Sequence, residues 1–110
     1  MNQINKVELA GFVGNVNFIQ LENTSIARLS VLTEYVSRSR DGQVIIESTW
    51  HNVTIWENKM KGNLKDIQKR SKIHVIGRIR NTKYIASSGE ERQITEILAS
   101  EAELIPDEEK

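Results

Sequence analysis

At 110 residues, with 38% hydrophobic and 5% aromatic residues, the chain has room for one domain with a modest core and none for a second domain. The absence of cysteine excludes disulfides, a thiolate nucleophile and any Cys-ligated metal. Fifteen Lys and Arg balance fifteen Asp and Glu, yet five of the acids fall after residue 100, so residues 1–100 carry 14 bases against 10 acids and form a basic body before an acidic tail. No stretch approaches the roughly 20 apolar residues of a membrane span, and the N-terminus lacks a charged-then-apolar signal pattern. The reading is a soluble, cytoplasmic protein.

Residues 6–15 alternate, with Val7 and Leu9 on one face and Lys6 and Glu8 on the other, and then meet Gly11 and Gly14, which suit a bulge or sharp bend. Residues 26–35 alternate again, Ala27, Leu29, Val31 and Thr33 against Ile26, Arg28, Ser30 and Leu32. A polar loop ending in Asp41-Gly42 predicts a hairpin, and its return strand ends with Val53 and Ile55 facing inward and Trp50, Asn52, Thr54 and Trp56 outward. The faces of Val44-Ile-Ile46 are undetermined by periodicity.

Residues 57–70 change character. Met60, Leu64 and Ile67 fall at i, i+4 and i+7, which predicts one amphipathic helix weakened by Gly62. Residues 72–83 return to alternation, with Ile73, Val75, Gly77 and Ile79 assigned to the core. The tip of a second hairpin falls at Ser87-Ser-Gly89, and the last strand covers residues 93–105 until Pro106. Three strands, a helix and two strands predict a mainly β OB-fold, a five-stranded Greek-key barrel with one helix between its third and fourth strands. The domain is residues 1–105 and the tail residues 106–110.

Two outward tryptophans on one strand call for a partner, since exposing them to water gains a protein nothing. Bases stacked on such rings are one, at about 1–3 kcal/mol each and with no regard for sequence. Arg78, Arg80 and Tyr84 share a parity opposite to the core residues of their strand, with Lys83 beside them, so cations suited to phosphates lie alongside another aromatic. Arg28, Arg38 and Arg40 extend this track. The simplest alternative for any one of these is a solvated side chain or a ring covering a barrel end; their co-location favours nucleic acid. His51 and His74 have no metal-ligand neighbours, and no nucleotide-binding or nucleophile motif occurs, so neither cofactor, metal nor enzymatic activity is expected. His51 has core-side parity, which points to a structural or subunit-contact role. A core of this size cannot cover Ile76, Phe12 and Val44-Ile-Ile46, which predicts a homo-oligomer.

Residues 6–11 (KVELAG), 49–53 (TWHNV) and 73–80 (IHVIGRIR), with Lys83-Tyr84 and Thr95-Glu-Ile97, resemble in order and spacing the bacterial single-stranded DNA-binding protein family. The resemblance spans residues 5–105. It implies an OB-fold homotetramer, in preference to a dimer, that wraps single-stranded DNA without sequence preference in replication, repair and recombination, and that performs no catalysis. It places Trp50, Trp56 and Tyr84 at base-stacking positions and His51 near a subunit contact. Where the family has a further stacking Trp this chain has Ser37, with Tyr35 two residues earlier as a substitute. Val16-Asn17 replaces an Asp-Pro, and Arg70 replaces a Gly before the fourth strand. The family's linker and acidic tip with terminal aromatic have no counterpart in residues 105–110, so recruitment of repair proteins by a tail is not expected. Two other readings stay open: an OB-fold protein of replication restart similar to primosomal replication protein N, and an OB-fold interaction module that binds no nucleic acid.

Overall fold

Six strands organise the described residues. The computed structural model describes residues 2–106, so most of the acidic tail, residues 107–110, lies outside the described residues. The strands are β1 (Val7–Gln20), β2 (Ser25–Arg38), β3 (Val44–Trp56), the two-residue β4 (Met60–Lys61), β5 (Lys72–Ile85) and β6 (Glu91–Ile105). The sheet order is β3-β2-β1-β5-β6, and a short parallel pairing of Val53 and Thr54 with Ile97 and Leu98 closes it into a five-stranded barrel, the OB-fold arrangement, with β4 added on the free edge of β6.

Strand β1 makes closure possible by changing partners. Val7 to Phe12 pair with β5 while Phe12 to Gln20 pair with β2, and the register slips between Val13 and Val16, so the strand bends around the barrel as its glycines suggest. Alternation then turns Val13, Ala27, Leu29, Val31, Val53, Ile55, Ile73, Val75 and Ile97 inward as one cluster. Both long hairpins turn where expected. Ser39 N–H donates to Gln43 O and Ala86 N–H to Glu90 O, with Gly42 and Gly89 at positive φ.

The helix expected over residues 57–70 is not formed. Two single 3₁₀ turns, Glu57–Lys59 and Leu64–Asp66, flank β4 instead. Met60, Leu64 and Ile67 are nevertheless all buried. The apolar stripe is therefore used, by a different backbone: Gly62 turns out of the helical region at a φ of 95° and the Asn63 side chain caps the next turn through Lys65 N–H. Arg70 takes a left-handed conformation, φ 78°, so the turn survives the loss of glycine, and its N–H donates to Val13 O.

Ile79 also departs from expectation. It is 47% exposed although its partner Ile97 is buried in the closing pairing with Val53, because Ile79 sits at the rim and beyond this pair β5 leaves the barrel with β6 as a two-stranded arm. Asn5 covers its main chain, accepting from Ile79 N–H and donating to Ile79 O. Ile76 is half-buried, whereas Phe12 and Val44-Ile-Ile46 are exposed.

Candidate nucleic-acid interface

Ladder register settles which side chains meet on the outside of the barrel. Arg28 stands opposite Thr54, Ser30 opposite Asn52 and Leu32 opposite Trp50, all on the face away from the core residues Ala27, Leu29 and Val31. The arm of β5 and β6 projects beside this face and encloses with it an open groove of about 600 Å³. Asn15, Asn17, Arg28, Ser30, Asn52 and Thr54 line one wall, and Arg80, Thr82, Lys83, Tyr84, Ile94 and Glu96 the other.

Glu96 organises the floor. Its Oε2 accepts from Arg80 Nε at 2.7 Å and its Oε1 from the Thr54 hydroxyl at 2.7 Å, which ties β6 to both neighbouring walls. Burial on its own would push this carboxyl up. The hydrogen bonds from Thr54 and Arg80, together with the charges of Arg80 and Arg28, outweigh burial and hold it below the usual carboxylate range. The carboxylate therefore offsets one of the three cations that surround the groove, and it engages Arg80 through Nε, with no acceptor on the terminal nitrogens among the described residues. Lys83 lies 3.8 Å from Glu91, an exposed pair of little energetic weight.

The aromatic rings stand at the margins. Tyr84 is 48% exposed in the arm, Trp50 58% exposed and Trp56 36% exposed on β3. The two indoles are six residues apart on one face of β3, roughly 20 Å at about 3.3 Å per residue. Trp50 lies across β2: a Cβ built on Gly14 would come within 2.5 Å of its Cζ3, so only a glycine leaves space for the ring on β1. Flat π-faces can stack on planar rings while the cationic channel they flank pairs with anions along a chain.

The groove thus unites four of the expected residues, Arg28, Arg80, Lys83 and Tyr84, with Trp50 and Trp56 on the face it belongs to. Others stand apart. Arg78 is exposed opposite Leu98 and does not line the groove. Tyr35 pairs with Glu47 on the ribbon face opposite to Trp50, which its parity with Val31 and Thr33 already dictates. Arg38 and Arg40 sit at the far tip of the same ribbon, where Arg38 Nη1 donates to Gly42 O. His51 is half-buried, its Nε2 2.9 Å from the Thr33 hydroxyl. The sequence reading overlooked Glu96, Thr54, Asn15 and Asn17 as groove residues. Position 96 has the outward parity next to the inward Ile97, a signal that charge alone would not have interpreted.

The model of the single-strand binding protein family matches residues 4–105. The chain belongs to that family. Among its relatives are a single-stranded DNA-binding protein of Xylella fastidiosa strain Temecula1, 33% identical over 93% of this chain, and one of Xanthomonas axonopodis, 30% identical over 93%. The chain spans 63% and 58% of the lengths of these two relatives. Its fold superposes on a Plasmodium falciparum SSB in complex with ssDNA with a TM-score of 0.75, over 96% of each chain at 23% identity. A Thermus aquaticus single-stranded DNA-binding protein gives the same TM-score over 96% of this chain at 16% identity. Among the described residues no helix is long and apolar enough to cross a membrane, and no group of three potential ligands could hold a metal ion.

Proposed function

We propose that the chain binds and protects single-stranded DNA without sequence preference, by stacking bases on Trp50, Trp56 and Tyr84 and pairing phosphates with Arg28, Arg80 and Lys83, in cytoplasmic replication, repair and recombination. The observation that carries this is the single outer face on which half-exposed indoles border a groove with cationic walls. Stacking without base-edge readout explains indifference to sequence, since every base has a π-face. Arg78, Arg38, Arg40 and Tyr35 lie outside the groove and belong to an extended path, if a bound strand continues around the molecule. The reading is one of binding and not of catalysis, as suits a single-strand binding protein family.

The assembly we propose is a homotetramer. Val36, Val44 and Ile46 on one face of the β2–β3 ribbon and Ile45 on the other are apolar side chains that one copy of the barrel leaves bare, and the half-buried His51 and Ile76 are the assigned contacts. Titration of intrinsic fluorescence with oligo-dT at two salt concentrations, beside light scattering, tests both parts. Quenching with a log-log salt slope near −0.7 per neutralised phosphate supports the reading. Absence of binding favours an interaction module instead, and a dimeric mass favours a replication-restart relative.

A further inference from the structure

Phe12 is a large ring that the core does not use. Its neighbours Gly11 and Val13 are buried, while Phe12 points outward and stays 51% exposed. Register places it opposite Leu32 on β2, and Leu32 opposite Trp50 on β3, so the three form one cross-strand row on the face that carries the groove. The row continues to Lys72, paired with Phe12 on β5, whose Nζ lies 5.9 Å from the centre of the phenyl ring.

Trp50 turns this row into a continuous surface. Its indole lies on Gly14, two residues beyond Phe12 on β1, roughly 7 Å along a strand that rises about 3.3 Å per residue. Two half-exposed rings therefore lie side by side at the end of the groove, with the partly covered Leu32 between their strands and the ammonium of the exposed Lys72 at the far side. A chain that alternates planar bases with phosphates matches rings and cation together, whereas an apolar partner would leave Lys72 without a counter-charge.

We propose that Phe12 and Lys72 form a further stacking and phosphate contact that carries a bound single strand off the groove, past Trp50 and across the face of β2 and β1. This rests on the single-strand reading of the groove. Its signature is dependence on strand length, because an oligomer short enough to lie between Tyr84 and Trp50 never reaches Phe12.

The test titrates the full chain with oligo-dT over about 4–16 nucleotides, the range of site sizes of one OB-fold. Phe12→Ala, and Phe12→Leu, which keeps apolar bulk but has no π-face, should match the parent on the shortest bound oligomers and bind the long ones about five-fold or more weakly. Phe12→Trp should retain the parent's length dependence and add a quenched indole. Lys72→Gln should lower the salt slope by about 0.7, on long oligomers only. Equal binding by Phe12→Leu and the parent at every length overturns the inference while leaving the groove intact. So does a fall in oligomer mass on Phe12→Leu, which would make the ring a subunit contact. A parent that binds no oligomer removes the single-strand reading itself, and this inference with it.

Discussion

Replacing Glu96 by Gln separates charge from geometry in the groove. The amide has the shape of the carboxylate: its oxygen can accept from Arg80 Nε and its nitrogen can donate to the Thr54 oxygen, so both 2.7 Å contacts keep a partner. What disappears is one negative charge beneath the path proposed for the DNA backbone. For a phosphate about 7 Å from the carboxylate, the removed repulsion is about 0.6 kcal/mol with full water screening and about 2.4 kcal/mol at the effective dielectric of a protein surface. The groove is open, which favours the lower part of that range. Oligo-dT should therefore bind roughly 3- to 10-fold more tightly to Glu96→Gln at low salt, with the gain shrinking as ionic strength rises.

The same substitution should weaken the fold. The Glu96 side chain is 11% exposed and Arg80 39%, so the pair is partly screened, and losing its charge should cost about 1 kcal/mol. The sign of the pH dependence follows from the lowered carboxyl. Its stabilisation is complete above the ordinary value of 4.5 and is lost as the pH falls through the depressed folded value, so the variant should show a flatter acid limb. Fluorescence titration across a salt series, with chemical denaturation at pH 7 and pH 4, measures all three effects. Weaker binding by Glu96→Gln at every salt concentration would refute the electrostatic argument and make positioning of Arg80 the dominant role of the carboxylate.

Alanine at Trp50, Trp56 or Tyr84 should cost about 1–3 kcal/mol of oligo-dT affinity with the salt slope unchanged, because stacking releases no counterions; a reduced slope would assign the loss to phosphates instead. Gly14→Ala should displace the Trp50 indole, since the new Cβ would fall within 2.5 Å of it, and so lower both affinity and fluorescence quenching; full retention of both would show that the ring is not held on β1. Ile73→Ala, at a fully buried site, should destabilise the fold by about 2–5 kcal/mol in urea denaturation, against a negligible change for Ile85→Ala in the exposed arm. Arg70→Gly should raise stability by up to about 1 kcal/mol, by relieving a left-handed non-glycine residue, and a fall in melting temperature would place the Arg70 side chain in a contact that outweighs the backbone gain.

Where a strand has one wet face, its period of two already fixes which side chains face outward, and that is why Trp50, Trp56, Arg28 and Tyr84 could be placed from the sequence before any pairing was known. The order of three strands, one helical segment and two strands supplied the barrel, and the family motifs matched it. Residues 57–70 misled because period alone cannot distinguish a helix from an irregular segment that buries the same three side chains, and Gly62 at positive φ decided between them. Ile79 misled for a different reason: alternation continues along β5, but the barrel ends at the Ile79–Ile97 pair, so at this rim inward parity no longer means burial. The role of Glu96 required pairing across three strands, because its partners lie 42 and 16 residues away in the chain. Phe12 needed the same information. Read alone on β1 it is an apolar remainder in want of a subunit, and only the register that aligns it with Leu32, Trp50 and Lys72 makes it part of the face on which the other aromatics stand. Sequence period thus assigns a side chain to a face, whereas long-range register assigns it a neighbour, and charge neutralisation or a stacking path depends on neighbours.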